Sequence, residues 1–122
     1  MTLRLCGIRG ATVADANTEE AILAATQELL QAMLQSNRLE AADIASIFFS
    51  VGPELNAAFP AAAARQLGLS QTPLMCMTEI PVEGGLSFCV RVLIHANLSS
   101  PQSAMRPVYL KEAATLRPDV VR

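Results

Sequence analysis

The sequence predicts an α+β domain built on a mixed β-sheet. Three observations carry this. From Leu86 to His95, apolar residues alternate with period two, the signature of a strand. From Asn17 to about Asn37 they recur at helical spacing. Strands and helices then follow one another intermixed, without an internal repeat, linker or low-complexity stretch. The 122 residues are assigned to one domain, 1–122, near the commonest domain size and able to bury a real core.

Taken in order, Thr2 to Ile8 alternates and is the first expected strand, with Gly7 and Gly10 flanking Ile8-Arg9, so that Arg9 falls at a strand end. Asn17-Thr18-Glu19-Glu20 opens a helix, in which Asn17 can cap and Glu20, three residues on, can complete a capping box. Ile22, Thr26, Leu29 and Met33, with Leu23, Leu30 and Leu34, form its apolar face. Leu39 to Asp43 is a short turn, and Ile44 to Val51 (IASIFFSV) is a buried strand stopped by Gly52-Pro53. Phe59-Pro60 opens a second helix through Arg65 to Gly68, because proline is well tolerated in a first helical turn. Its alanines allow close packing against a sheet. Pro73 to Met77 is a further strand, followed by a bend from Glu79 to Gly85. The strand from Leu86 has apolar residues on both faces and is expected to be covered on both. Met105 to Leu116 is expected to be a last strand, ended by Pro118.

Composition excludes several function classes. A net charge of −2 without any basic cluster argues against nucleic acid. No apolar run approaches the ~18 residues that span a bilayer, and Arg4 interrupts any candidate signal peptide, so a soluble, unexported protein is expected. Cys6, Cys76 and Cys89 show neither CxxC nor His-paired spacing, which indicates no disulfide framework and no zinc site and fits a reducing cytoplasm. With 52% hydrophobic and 16% charged residues, the polar coat is lean, as for a chain that buries surface against other subunits. The cations are eight arginines (4, 9, 38, 65, 91, 106, 117 and 122) and one lysine, Lys111. Arginine offers a flat fork matched to carboxylates, so a polycarboxylate ligand and a mere compositional bias both account for this choice.

The anomaly is Arg91, in the middle of an apolar strand beside Cys89 and Leu93. A guanidinium cannot shed its proton, and burying it is costly unless anions or acceptors meet it. Two readings follow: an internal ion pair, with Glu79 or Glu83 as partner, or an arginine held ready for a ligand oxygen. Conventional catalytic parts are scarce. His95 is the only histidine and lies on a strand, as a core imidazole would; no nucleophile elbow, phosphate loop or metal-spaced carboxylate cluster occurs. What remains is arginines, a carboxylate, a thiol and a phenol, a set suited to electrostatic recognition.

Six motifs carry a resemblance. Gly7-Ile8-Arg9-Gly10-Ala11-Thr12; Phe59-Pro60-Ala61 followed by Arg65; Cys76-Met77-Thr78-Glu79; Gly84-Gly85-Leu86 running to Cys89-Val90-Arg91; Val108-Tyr109-Leu110; and Leu116-Arg117-Pro118-Asp119 occur in this order over nearly the whole chain. Together they resemble the AroH-type monofunctional chorismate mutases. The resemblance implies a mixed sheet with helices on one side, a homotrimeric barrel-like assembly with active sites at subunit interfaces, and the cofactor-free, metal-free rearrangement of chorismate to prephenate. It implies Arg91 as the donor to the ether oxygen, Arg9 with Tyr109 on a substrate carboxylate, and Glu79 and Cys76 at the ring hydroxyl. Phe59 and Leu116 would be apolar walls, with Arg65 and Arg117 at the rim. On this view Arg9 and Arg91 can come from different subunits' shares of one pocket. Met75, where a small hydroxylic residue is frequent in that family, removes a polar contact near the ring, and the tail ending at Arg122 is short. Two other readings stand beside it: an enamine/imine deaminase of the RidA-like kind, which also holds a carboxylate with an interface arginine, and a non-catalytic trimer that binds a metabolite.

Overall fold

Strand β1 (Arg4–Val13), in the computed structural model describing residues 2–119, runs past Ile8, where it was expected to end, and on through Gly10. The chain continues with helix α1 (Glu19–Ser36), a 3-10 turn (Ala41–Asp43), β2 (Ile44–Val51), α2 (Ala61–Gln66), β3 (Leu74–Thr78), β4 (Cys89–Leu98), a second 3-10 turn (Gln102–Ala104), β5 (Val108–Tyr109) and a third (Lys111–Thr115). The sheet order is β3-β2-β4-β1-β5. β4 is antiparallel to β1 and β2, whereas β2 with β3 and β1 with β5 are parallel, so the sheet is mixed as expected.

The register fixes which residues share a face. On one side Ile8, Ile94 and Ile47 lie in a row, and Gly10, Val92 and Phe49 form the next. These residues meet Leu29, Leu30 and Met33 of α1 and Ala61 and Ala64 of α2 in the main core. Gly10 is small for a reason: a Cβ there would lie 2.5 Å from Met33 Sδ and 3.1 Å from the Val108 carbonyl oxygen. Since Met33 is fully buried and has little room to retreat, Gly10→Ala is expected to destabilise the fold by about 1–3 kcal/mol. Urea or thermal unfolding checks this.

On the other side, Arg9, Leu93, Phe48 and Met75 form a row, and Ala11, Arg91, Ser50 and Met77 the next. α1 and α2 both pack on the opposite side, and of this face only the end at Ala11 and Cys89 is covered, by Ala113 of the third 3-10 turn. Leu5 (62% exposed), Met75 (54%), Met77 (45%) and Leu93 (38%) stand open on it, which corrects the expectation that β4 is covered on both sides. The pattern was apolar on both faces, but only one is filled from within the chain. His95 is correspondingly half-buried on the open face, edge-to-face with Phe48 at 5.5 Å, and is not a core imidazole.

Other expectations change for local reasons. Arg9 lies mid-strand opposite Leu93, because β1 pairs with β4 along its whole length. Thr18, not Asn17, caps α1, its hydroxyl accepting from Ala21 N at 3.1 Å. α2 stops where Gly68 adopts φ 92°, a conformation glycine takes readily. β4 begins at Cys89, not Leu86, because Phe88 sits at φ 57° and breaks the extended run. The expected strand from Met105 to Leu116 is only Val108–Tyr109: Pro107 precedes it, and Lys111 at φ 54° turns the chain into a 3-10 segment. The short tail, 120–122, lies outside the described residues. No helix among the described residues is long and apolar enough to cross a membrane.

Candidate active site

Arg91 is placed by cross-strand pairing, opposite Ala11 of β1 and Ser50 of β2 on the open face. Glu79 follows β3 directly; its N–H donates to the Val51 carbonyl at 2.8 Å, which extends the β2–β3 pairing by one residue. That anchor brings its carboxylate to Arg91. Ser50 Oγ donates to Glu79 Oε2 at 2.7 Å, and Arg91 Nε lies 3.3 Å from the same oxygen. The ion pair weighed on sequence therefore forms, with Glu79 and not Glu83, yet the two side chains remain 44% and 35% exposed. Glu79 fixes the guanidinium through Nε, which leaves the outer edge of the fork to meet a ligand.

A concavity of 620 Å³ opens over this row, and Arg9, Arg91, Arg117 and Tyr109 all line it, together with Phe48 and Leu93. Tyr109 arrives through β5, paired with Ala11. Arg117 follows the 3-10 segment after β5 and is held by Asp119, at 3.0 and 2.8 Å. The hydrogen bond from Arg117 holds the Asp119 carboxyl below its ordinary range and raises Arg117 in turn. Leu116 packs against the cluster of Ala11, Cys89 and Ala113 at the edge of this region. Burial pushes the Cys89 thiol above its usual range, against the opposing pull of Arg91. Three guanidinium groups line one opening, and although Arg91 and Arg117 are paired with Glu79 and Asp119, together they offer N–H donors suited to carboxylate oxygens.

The remaining expected residues lie elsewhere. Phe59, Arg65 and Cys76 line a separate opening of 550 Å³ at the β3 edge, on the helix side of the sheet. Phe59 is 72% exposed at the mouth of α2. The loop before it is pinned by Asn17, whose Oδ1 accepts from the N–H groups of Asn56 and Ala57 at 3.0 Å each. That is the work Asn17 does instead of capping. Met75 faces the open side, paired with Phe48, and so points away from Cys76.

Within one chain, Arg9 and Arg91 thus line the same concavity, and the expected residues divide between two openings. The division falls between Arg9, Glu79, Arg91, Tyr109 and Arg117 on one side and Phe59, Arg65 and Cys76 on the other. Sequence reasoning missed two residues. Ser50, which orients Glu79, was legible as one of two hydroxyls, with Ser46, on an otherwise apolar strand. Glu54 lines a third cavity, of 250 Å³, with Glu79, Cys89 and Arg91. Among the described residues no group of three His, Cys, Asp or Glu side chains is placed to hold a metal ion.

Comparison with known proteins agrees with the motif resemblance. The family described as "Chorismate mutase type I" matches residues 5–120. Chorismate mutase AroH of Thermus thermophilus is 46% identical over 115 residues, covering 93% of this chain and 94% of that protein. Chorismate mutase AroH of Bacillus subtilis (strain 168) is 42% identical over 115 residues, covering 93% and 91%. A solved structure, chorismate mutase from Clostridium thermocellum Cth-682, superposes with a TM-score of 0.88 at 48% identity, over 89% of this chain and 97% of that one. With a guanidinium-lined concavity, an in-order motif set and matches of this extent, the chain belongs to the type I chorismate mutase family.

Proposed function

We infer that this chain, acting as one cytoplasmic domain, rearranges chorismate to prephenate in a pocket completed by a second copy, and that Arg91 is the residue that lowers the barrier. The observation that carries the reading is the guanidinium of Arg91, oriented by Glu79 and facing the same concavity as Arg9 and Arg117.

The reaction is an intramolecular Claisen rearrangement. The ether C–O bond breaks as a C–C bond forms, and no atom enters or leaves, so the protein has only to hold and to polarise. Chorismate carries two carboxylates, and gripping both while the side chain lies over the ring removes the orientational part of the barrier. Arg9, assisted by Tyr109, takes one carboxylate; Arg117 and Arg65 close on the dianion from the rim. Negative charge grows on the ether oxygen in the transition state, and a fixed donor aimed there is worth about 3–4 kcal/mol. Arg91 supplies it. The carboxylate of Glu79 balances the positive character that develops on the ring and, with Cys76, holds the ring hydroxyl; Phe59 and Leu116 bound the apolar part.

Two features support a shared site in a homotrimer. The open sheet face of Leu5, Phe48, Met75, Met77 and Leu93 is apolar and uncovered, a surface suited to another subunit. Phe59, Arg65 and Cys76 open on a different side of the chain from Arg91, so apposition of two chains is the simplest way to unite them.

The test is loss of chorismate absorbance with purified protein and no added cofactor, followed by acid conversion of the product to phenylpyruvate. A protein-dependent signal that survives a chelator is expected. A folded protein that leaves chorismate intact overturns the activity and leaves a binding trimer.

A further inference from the structure

The entry into β4 is unusual. Phe88 holds φ 57°, a left-handed conformation that a bulky residue adopts only when its surroundings hold it there. Two contacts hold this one. Its carbonyl accepts from Ala14 N at 2.8 Å, just past the end of β1, and its N–H donates to Glu54 Oε2 at 2.7 Å. The second is a charge-assisted bond reaching across 34 residues. Glu54 is aimed by a tight turn after β2, in which Leu55 N donates to the Gly52 carbonyl at 3.0 Å while Leu55 itself is buried. Its carboxylate folds back over Gly52 so closely that a Cβ there would lie 2.5 Å from both oxygens. Gly52 is therefore the residue that lets Glu54 reach Phe88.

Arg91 lies three residues beyond that tether. The same 250 Å³ cavity is lined by Glu54 at one end of the turn and by Glu79, Cys89 and Arg91 where the turn enters the sheet. We propose that Glu54 is a positioning residue for Arg91: by fixing Phe88 it sets the direction in which β4 leaves the turn, and with it the placement of the guanidinium against Glu79. The rate consequence follows from geometry, since displacing a reacting group by about an ångström can cost on the order of 10²-fold. Glu54 makes no contact with the reacting atoms in this account. The proposal rests on the reading of Arg91 as the barrier-lowering donor.

The experiment compares Glu54→Ala, Glu54→Gln and Gly52→Ala with the wild type, measuring kcat, KM and thermal unfolding on purified protein. Glu54→Ala is expected to lose roughly tenfold or more in kcat with KM within about threefold, the signature of an interaction realised in the transition state. Glu54→Gln keeps an oxygen that accepts from Phe88 N and is expected to return most of that loss. Gly52→Ala, which keeps the carboxylate but pushes it off its seat, is expected to reproduce the defect. A Glu54→Ala enzyme with kcat near wild type, a loss carried by KM alone, or a glutamine variant no better than alanine overturns the proposal. Should Glu54→Ala fail to fold, the other two variants decide it: a wild-type kcat in Gly52→Ala, or a loss in Glu54→Gln as large as that in Gly52→Ala, overturns it. A wild type that does not turn over chorismate, or an Arg91→Lys enzyme with normal kcat, overturns instead the reading on which it rests.

Discussion

Replacing Arg91 by lysine is expected to lower kcat by about 10²- to 10³-fold while raising KM only a few-fold. The charge survives the substitution, so the loss isolates what the fork does. Arg91 uses Nε to meet Glu79 Oε2 at 3.3 Å, and that contact sets the plane in which its outer edge is presented. A lysine ammonium is a single point of charge on a flexible stem. It can sit on the Glu79 and Ser50 cluster or reach the ether oxygen, but it cannot do the first as a means to the second. Dianion binding suffers less, because Arg9 and Arg117 line the same concavity. Steady-state kinetics with thermal unfolding as a control for folding makes the check, and near-normal kcat overturns the assigned role. Glu79→Gln is the companion measurement: it removes the charge that orients the fork, and an unchanged rate would mean that Glu79 only pairs with an arginine and takes no part in the reaction.

How much of this was legible in the sequence varies by element, and the variation has physical causes. Ile44–Val51 was read to its ends because an apolar run stops at Gly52-Pro53. α1 was equally plain, since its 18 residues carry a continuous apolar stripe. The start of β4 was misplaced because alternation persists through Leu86 and Phe88, while the left-handed φ at Phe88 depends on a carboxylate 34 positions away. The last strand was overlong for a similar reason: its interruption lies in the backbone of Lys111, a residue with no local preference for that conformation. Coverage of β4 on both faces was inferred from apolarity, and apolarity does not say whether the cover belongs to the same chain. The site was legible as residue types within motifs, but not as geometry. Arg9 and Arg91 share a concavity because β1 and β4 pair antiparallel along ten residues, and no local feature of either strand announces that register.

The placement of Arg91 at one opening and of Phe59 with Arg65 at another makes its own prediction for the proposed shared site. One chain carrying Arg91→Ala and another carrying Phe59→Ala with Arg65→Ala are each expected to be nearly inactive as homotrimers, and mixed trimers are expected to recover activity. Phe59 is 72% exposed and Arg65 is also exposed in the single chain, so their truncation removes little from the core and leaves folding intact. In a cyclic assembly each interface draws one half-site from each neighbour, so random mixing in equal amounts restores an intact pairing at about a quarter of the interfaces. Activity should rise to about that fraction of wild type after co-expression or joint refolding, and sedimentation should report three copies of the 13.0 kDa chain. If each pocket were complete within one chain, every site in the mixture would carry a lesion and no recovery would appear. A partial return therefore locates the catalytic arginine and the apolar wall on different subunits, while the mass separately tests how many subunits close the ring.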